Sequence, residues 1–240
     1  MGKLEPPPRW GNDKVTSFFK QAEENSYATF VHERVYFKRL VDINDIFCSA
    51  VDYMENSKEW FALLFFLKAH SAFLASLRLA VAPQLPETFI LLRGALENSL
   101  YGWYIFKNKK LAKIWLERHE SDAHKKNVKN KFKIVTVLDS LDKDDSRLGR
   151  ATKELYERCI DYGAHPNEKS LSAHLRQTKT VDAIQFDLHY LSNNLTVIKF
   201  GLKSSAQAGV LCLKILELII PERFKITGLD VKLENASKGL

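Results

Sequence analysis

Arg158 and His165 are seven residues apart in the stretch RCIDYGAHPN. Seven residues of α-helix make almost two turns, which would place both side chains on one face, about 10 Å apart along the axis. An imidazole can exchange a proton near neutral pH, so a histidine held at this point could take part in catalysis. Gly163 and Pro166 also have a simpler interpretation, because a left-handed glycine often caps a helix and a proline often follows its end. The stretch therefore predicts either a histidine held in place for chemistry, with Arg158 two turns before it, or an ordinary helix end.

Arg93 and Glu97 form a second pair, in the apolar segment LLRGALENSLYGWYIF. Residues four apart share a helix face, and a buried guanidinium needs a carboxylate partner. We expect the two side chains to pair in a dry interior, with help from Tyr101 or Tyr104. Such a pair either fixes the register between helices or lines a pocket for a small ligand.

Positive charge is concentrated in residues 107–133. Ten lysines and arginines and three acids give this stretch a net charge of +7, equal to the formal net charge of the whole chain. Local positive charge attracts phosphate backbones, so the stretch predicts either contact with a nucleic acid, such as RNA, or a solvated lysine-rich helix without a partner. The candidate contact residues are Lys125, Lys126, Lys129 and Lys131.

The same stretch contains RHESDAH, which resembles the zinc motif HExxH. The motif needs histidines four apart, whereas His119 and His124 are five apart and would diverge by about 140° around a helix. The sequence also has no glycine-rich phosphate loop and no GxSxG motif. We therefore predict neither a metal nor another cofactor.

The elements that position these residues are predicted to be helices nearly throughout. Glycine (10) and proline (7) are scarce, and 45% of the residues are hydrophobic, enough for a core. We predict an all-α fold, a single helical bundle of about six helices. In residues 174–191 the alternation of Ile184, Phe186 and Leu188 with polar residues predicts a small β-hairpin or a long crossing loop.

The predicted organisation has three parts. Residues 1–11 form an extended N-terminal lead-in, residues 12–222 form the bundle, and residues 223–240 form a C-terminal tail. The bundle begins with apolar positions at helical spacing, with Asn12 or Asp13 as the N-terminal cap.

Two segments, residues 61–82 and 88–106, are apolar enough to resemble membrane spans. Each carries charged residues near its middle, and each such charge costs about 2.5–3.5 kcal/mol on insertion scales. We predict two central helices covered on all sides and no stable membrane insertion. A further helix is expected from about residue 111 to residue 141, with a break near Lys129.

The three cysteines, Cys48, Cys159 and Cys212, form no CxxC pair. They are expected to be buried reduced thiols, which are typical of a reducing compartment. The N-terminal residues contain no apolar segment of the kind found in secretory signals. We therefore expect a cytoplasmic protein.

The spacing Arg158-x6-His165 resembles the Arg-x4-6-His motif of the HEPN superfamily, helical bundles that include many bacterial toxins and abortive-infection proteins. The LLRGALE helix and the later YGAHPN also resemble uncharacterised bacterial HEPN-like families. The resemblance implies a homodimer with an interface near residues 150–170, in which the two protomers cleave RNA without a metal. His165 would then move the proton of the ribose 2′-hydroxyl, and Arg158 would stabilise the charged phosphorane.

Cys159 stands where active HEPN nucleases often carry Asn, Asp or His. This difference favours a catalytically silent HEPN-like module that binds RNA or a partner protein such as an antitoxin. Two alternatives stay open. One is a metal-independent ribonuclease that uses Arg158 and His165, and the other is a helical bundle that binds a small ligand.

Overall fold

The computed structural model describes residues 5–52, 57–164, 168–172, 175–179 and 184–240. In these ranges the chain is all-α apart from two short strands, which confirms the predicted fold class. The helices are α1 (Lys14–His32), α2 (Arg34–Val51), α3 (Trp60–Val81), α4 (Leu85–Lys107), α5 (Lys110–Leu116), α6 (Asp122–Lys131), α7 (Ile134–Asp144), α8 (Ser146–Cys159), α9 (Glu168–Ser172), α10 (Leu195–Glu217), α11 (Pro221–Thr227) and α12 (Leu229–Ser237). A 3-10 turn (Glu117–His119) follows α5, and a π turn (Ile160–Ala164) follows α8.

The centre of the bundle is formed by α4 and α10. Helix α4 packs against α3, α7, α8, α10 and the π turn, and α10 also packs against α2 and α12. Their core side chains, such as Phe89, Leu96 and Leu213, have no exposed surface. The predicted central position of residues 88–106 is therefore confirmed.

Helix α3 is not covered on all sides, which corrects the prediction for residues 61–82. One face packs against α4, and Gly102 lets the helices approach so closely that a Cβ there would lie 2.8 Å from the carbonyl oxygen of Ala62. The opposite face exposes Trp60, Leu64, Leu67 and Leu74. Among the described helices, α3 is by itself long and apolar enough to cross a membrane, while α10 and α11 pass that test only as a pair bent by 109°.

Several predicted helices are divided. The first run breaks at Glu33 without Gly or Pro, and the rings of Phe30 and Phe37 meet across the break with centroids 4.9 Å apart. Residues 111–141 fold as α5, the 3-10 turn, α6 and α7. These breaks let Trp115 and Phe132 pack together in a small second core, which a continuous helix would separate.

Some local predictions are confirmed. Asp13 caps α1 by accepting hydrogen bonds from the amides of Val15 and Thr16. The predicted hairpin is present as β1 (Leu175–Lys179) and β2 (Ile184–Leu188), paired antiparallel. Its alternating apolar residues are exposed rather than buried: Ile184, Phe186 and Leu188.

The C-terminal residues form α11 and α12 rather than the expected tail. Phe224, Leu229 and Leu233 are buried in the main core. Arg223 fixes α11 to the end of α2 by donating hydrogen bonds to the carbonyl oxygens of Ser49, Ala50 and Asp52. Residues 223–240 therefore belong to the bundle.

Candidate functional site

The candidate catalytic stretch begins at the end of α8, where the helix widens into the π turn. Gly163 does not adopt the left-handed conformation expected of a cap, since its φ is not positive. A Cβ at Gly163 would lie 2.1 Å from the carbonyl oxygen of Pro86. The glycine is therefore required because the π turn packs directly on the start of α4.

Aromatic rings hold the π turn in place. Tyr162 contacts Phe89 of α4 and Phe200 of α10, with ring centroids 5.5 and 5.0 Å apart. The guanidinium of Arg158 lies over the ring of Phe200, with its central carbon 5.8 Å from the ring centroid. The end of α8 is thereby anchored to both central helices.

Arg158 is half-buried, and its hydrogen-bond partners are neutral. Its Nη1 donates to Oε1 of Gln207 at 2.6 Å and to Oγ of Ser204 at 3.4 Å. Among the described residues, no carboxylate lies within 4.0 Å of its guanidinium. Within the part of the chain that the structure describes, its positive charge is therefore held in place without an acidic partner.

Two cavities share Arg158 as a wall residue. One, of about 680 Å³, lies between α8 and α10 and is open to solvent. The other, of about 590 Å³, is lined by Arg150, Lys153 and Lys169 together with three acids and Tyr162. His165, the predicted partner of Arg158, lies outside the described residues. The regular α-helix ends at Cys159, and the chain continues as a π turn. The α-helical spacing that predicted one face for Arg158 and His165 therefore does not reach His165.

Arg93 and Glu97 pair within α4, as predicted, but the third member of the network is Tyr156 of α8. Nε of Arg93 donates to Oε1 of Glu97 at 2.8 Å and to the Tyr156 hydroxyl at 3.0 Å. The Tyr156 hydroxyl donates to the same Glu97 oxygen at 2.7 Å. Burial and the hydrogen bond to Glu97 raise the pKa of Tyr156 well above its usual range.

The interior of this network is not dry, contrary to the prediction. The side chains of Arg93 and Glu97 are each 27% exposed. The hydroxyl of Tyr101, one of the two predicted helpers, instead donates to the carbonyl oxygen of Phe132. The network joins α4 to α8 at the edge of the core, which is the structural role foreseen for the pair.

The basic stretch divides into two parts. In the first, Lys107, Lys109 and Lys113 form ion pairs with Asp144, Glu59 and Glu117. In the second, the lysines of α6 are exposed, and none has a carboxylate within 4.0 Å among the described residues: Lys125, Lys126, Lys129 and Lys131. Most of the charge left without an acidic partner therefore lies on α6.

Helix α6 is held on the protein by few contacts. Ser121 caps it by accepting a hydrogen bond from the amide of His124, and Val128 and Phe132 insert into the second core. The remaining surface of this short helix is mostly exposed. It forms a basic ridge, on which Lys125, Lys126 and Lys129 lie within about 100° of one another around the helix and Lys131 lies on another side.

The structure does not bring the two sets of candidate residues together. Arg158 contacts the ring of Phe200, which in turn contacts Phe89 near the start of α4. Helix α6 instead packs near Ile105, at the other end of α4. Sixteen residues of α-helix separate these positions, about 24 Å along the axis. The basic ridge and Arg158 are therefore separate sites on one protomer.

The rejected zinc motif contains a different cluster. Ligand atoms of Glu117, Glu120 and His124 lie within 4.8 Å of one another, and His119 is not among them. Glu117 already pairs with Lys113, and all three groups are open to solvent. We assign no metal role to this cluster.

Two of the three cysteines are buried as expected. Burial raises the pKa of the Cys159 and Cys212 thiols to about 12, which leaves them unreactive near neutral pH. Cys48 is exposed, contrary to the prediction.

The sequence analysis missed Gln207, Ser204 and Tyr156. One signal was present, because Ser204 and Gln207 are polar residues one turn apart in the middle of α10. Tyr156 had no such signal, because its partners are about 60 residues away along the chain. Comparison with protein-family models, with curated proteins and with solved structures finds no match to this chain.

Proposed function

We propose that the protein is an HEPN-like helical module that binds RNA without cleaving it, and that α6 contacts the phosphate backbone. The observation that carries this proposal is the set of four exposed α6 lysines without carboxylate partners among the described residues. Lysines that already pair with acids must break those pairs before they can bind phosphate. Unpaired lysines release only counterions, which favours binding at low salt.

Two triple variants, each of which removes three positive charges, test this proposal. Replacing Lys125, Lys126 and Lys129 with Gln removes unpaired lysines. The matched control replaces Lys107, Lys109 and Lys113, which are ion-paired. Fluorescence anisotropy with a single-stranded RNA, repeated over a range of salt concentrations, measures affinity and its salt dependence.

We expect the α6 variant to lower the salt slope by about 2, since each lost phosphate contact on a single strand contributes about 0.7. The control should lower it much less. Equal losses in the two variants would show that only the overall charge matters. An absence of RNA binding by the wild type would leave the partner-protein interpretation in its place.

A second candidate function, metal-independent ribonuclease activity, is favoured by the neutral partners of Arg158. A guanidinium free of carboxylates can accept a phosphate. If this candidate is right, RNA cleavage should survive EDTA and be lost in both Arg158→Ala and His165→Ala. Cleavage that persists in both variants, or that stops with EDTA, would exclude it.

The ribonuclease candidate needs two protomers, and we propose a homodimer for this reason. The exposed apolar side of the hairpin supports the proposal, because an isolated two-stranded hairpin is at best marginally stable in water. Light scattering at micromolar concentration should give twice the chain mass of 27.6 kDa. A species of the single-chain mass would contradict the proposal.

A further inference from the structure

The cavity between α8 and α10 has the size of a small-molecule site. Its volume is about 680 Å³, and the end of α12 and Leu240 border it. Ligand pockets commonly have volumes of about 300–1,000 Å³ and a largely apolar lining. The cavity extends from Leu148 to Arg158 along α8, which corresponds to about 15 Å of helix.

The floor of this cavity is apolar. Leu148 and Leu155 of α8 face Val210 and Leu211 of α10, and each of these residues is buried. Ala151 lies between the two leucines of α8 and leaves room above the floor. An apolar ligand body could therefore lie along the groove without displacing a side chain.

Three cations and three acids line the groove, and the cations are more available to a ligand than the acids. The three cations, Arg147, Arg158 and Lys214, have no carboxylate within 4.0 Å among the residues that the structure describes. Of the acids, Asp145 already accepts hydrogen bonds from two amides as the N-cap of α8, and the side chain of Glu154 is exposed to solvent. Burial also raises the pKa of Glu217, so its negative charge is disfavoured there.

We propose that the α8–α10 groove binds an amphipathic anion, with an apolar chain on the leucine floor and a carboxylate or phosphate head at Arg158. The hydrogen bond from Arg158 to Gln207 fixes the guanidinium at one end of the floor. A guanidinium has five N–H donors, and the two bonds from Nη1 leave others for the head group. This site is separate from α6 and does not depend on RNA binding.

Isothermal titration of the folded full-length chain with decanoate and decyl phosphate tests the proposal. Both should bind, and the tighter of the two identifies the preferred head group. Decyltrimethylammonium, which has the same chain and the opposite charge, should not bind. Failure of both anions to bind at millimolar concentration, or equal binding of the cation, would overturn the proposal.

Variants locate the binding site. Arg158→Gln should weaken binding of the anions about tenfold, since it removes a charge-assisted hydrogen bond. Arg150→Gln is the matched control, because Arg150 lies on the same helix and does not line this groove, and it should leave affinity unchanged. Equal affinities in these two variants would place the anion elsewhere and refute the proposal.

Ala151→Phe should fill the groove and abolish binding while circular dichroism stays helical. If this variant does not fold, Lys214→Gln replaces it and should weaken binding about threefold through the lost charge. Unchanged affinity in whichever of the two folds contradicts the proposal. The α6 triple variant should bind the anions like the wild type, so failure of the RNA proposal and failure of this one are distinguishable.

Discussion

Arg93 and Arg158 lie on two helices that pack against each other, and their guanidinium groups have different surroundings. Arg93 pairs with Glu97 and shares that carboxylate with Tyr156. Arg158 contacts the neutral groups of Gln207 and Ser204 and the ring of Phe200. The first charge is neutralised and joins two helices, while the second is fixed in position and remains available to an anion.

Alanine substitution of the glycines near the two arginines should give the largest difference in stability. Gly163→Ala should destabilise the protein by about 3 kcal/mol, because the new methyl group overlaps the Pro86 carbonyl and the backbone must move. Gly94, next to Arg93, has no neighbouring atom within 4 Å of the place that a methyl group would occupy, so Gly94→Ala should stabilise α4 by about 0.5–1 kcal/mol. Urea unfolding measures both changes, and a neutral Gly163→Ala would show that the π turn is not tightly packed.

Glu97→Ala should destabilise the protein by about 2 kcal/mol, because it leaves Arg93 and Tyr156 without their shared acceptor. A fully dry pair would cost about 3–5 kcal/mol, but the side chains are 27% exposed and water can replace part of the lost interaction. Glu157→Ala, an exposed substitution on α8, should change stability by less than about 0.5 kcal/mol. If the two variants unfold at the same urea concentration, the network does not stabilise the fold.

Arg158→Ala should change the free energy of unfolding by less than about 1 kcal/mol, since no buried acid loses its partner. The same variant should weaken the anion binding proposed for the groove at least about tenfold. A stability loss above about 2 kcal/mol would place Arg158 with Arg93 as a structural residue, and the contrast between them would disappear.

The smallest expected effect is at alkaline pH. The pKa of Tyr156 is raised in the folded state by burial and by the hydrogen bond to Glu97, so its neutral form is favoured there. This contribution to stability is complete below the unfolded tyrosine pKa of about 10 and decreases as pH rises above it. Tyr156→Phe should therefore lose less stability than the wild type between about pH 9 and pH 11. If the urea midpoints of the wild type and Tyr156→Phe change equally with pH over this range, this explanation is contradicted.

Much of the fold was predictable because its signals are local. Apolar periodicity identified the main helices, and Asp13 caps α1 where a short polar side chain was expected. The divided helices were not predictable in the same way. Residues 111–141 break where Trp115 and Phe132 must meet in the second core, and a contact between distant residues leaves no periodic signal.

The candidate site was predicted only in part. Sequence placed the excess positive charge in residues 107–133, but only the fold shows that α6 carries most of the lysines without acidic partners among the described residues. Gly163 was interpreted as a left-handed cap from its position in the sequence alone. Its actual requirement comes from a backbone oxygen of α4, far away in the sequence.

By itself, the sequence determined the helical class, the local excess of positive charge and the pairing of Arg93 with Glu97, because each depends on residues a few positions apart. The tertiary structure decided which arginine is neutralised. The contact of Arg93 with Tyr156 spans 63 residues, and that of Arg158 with Gln207 spans 49. Helix packing sets such distances, so the availability of the Arg158 charge became visible only when α8 was placed against α10.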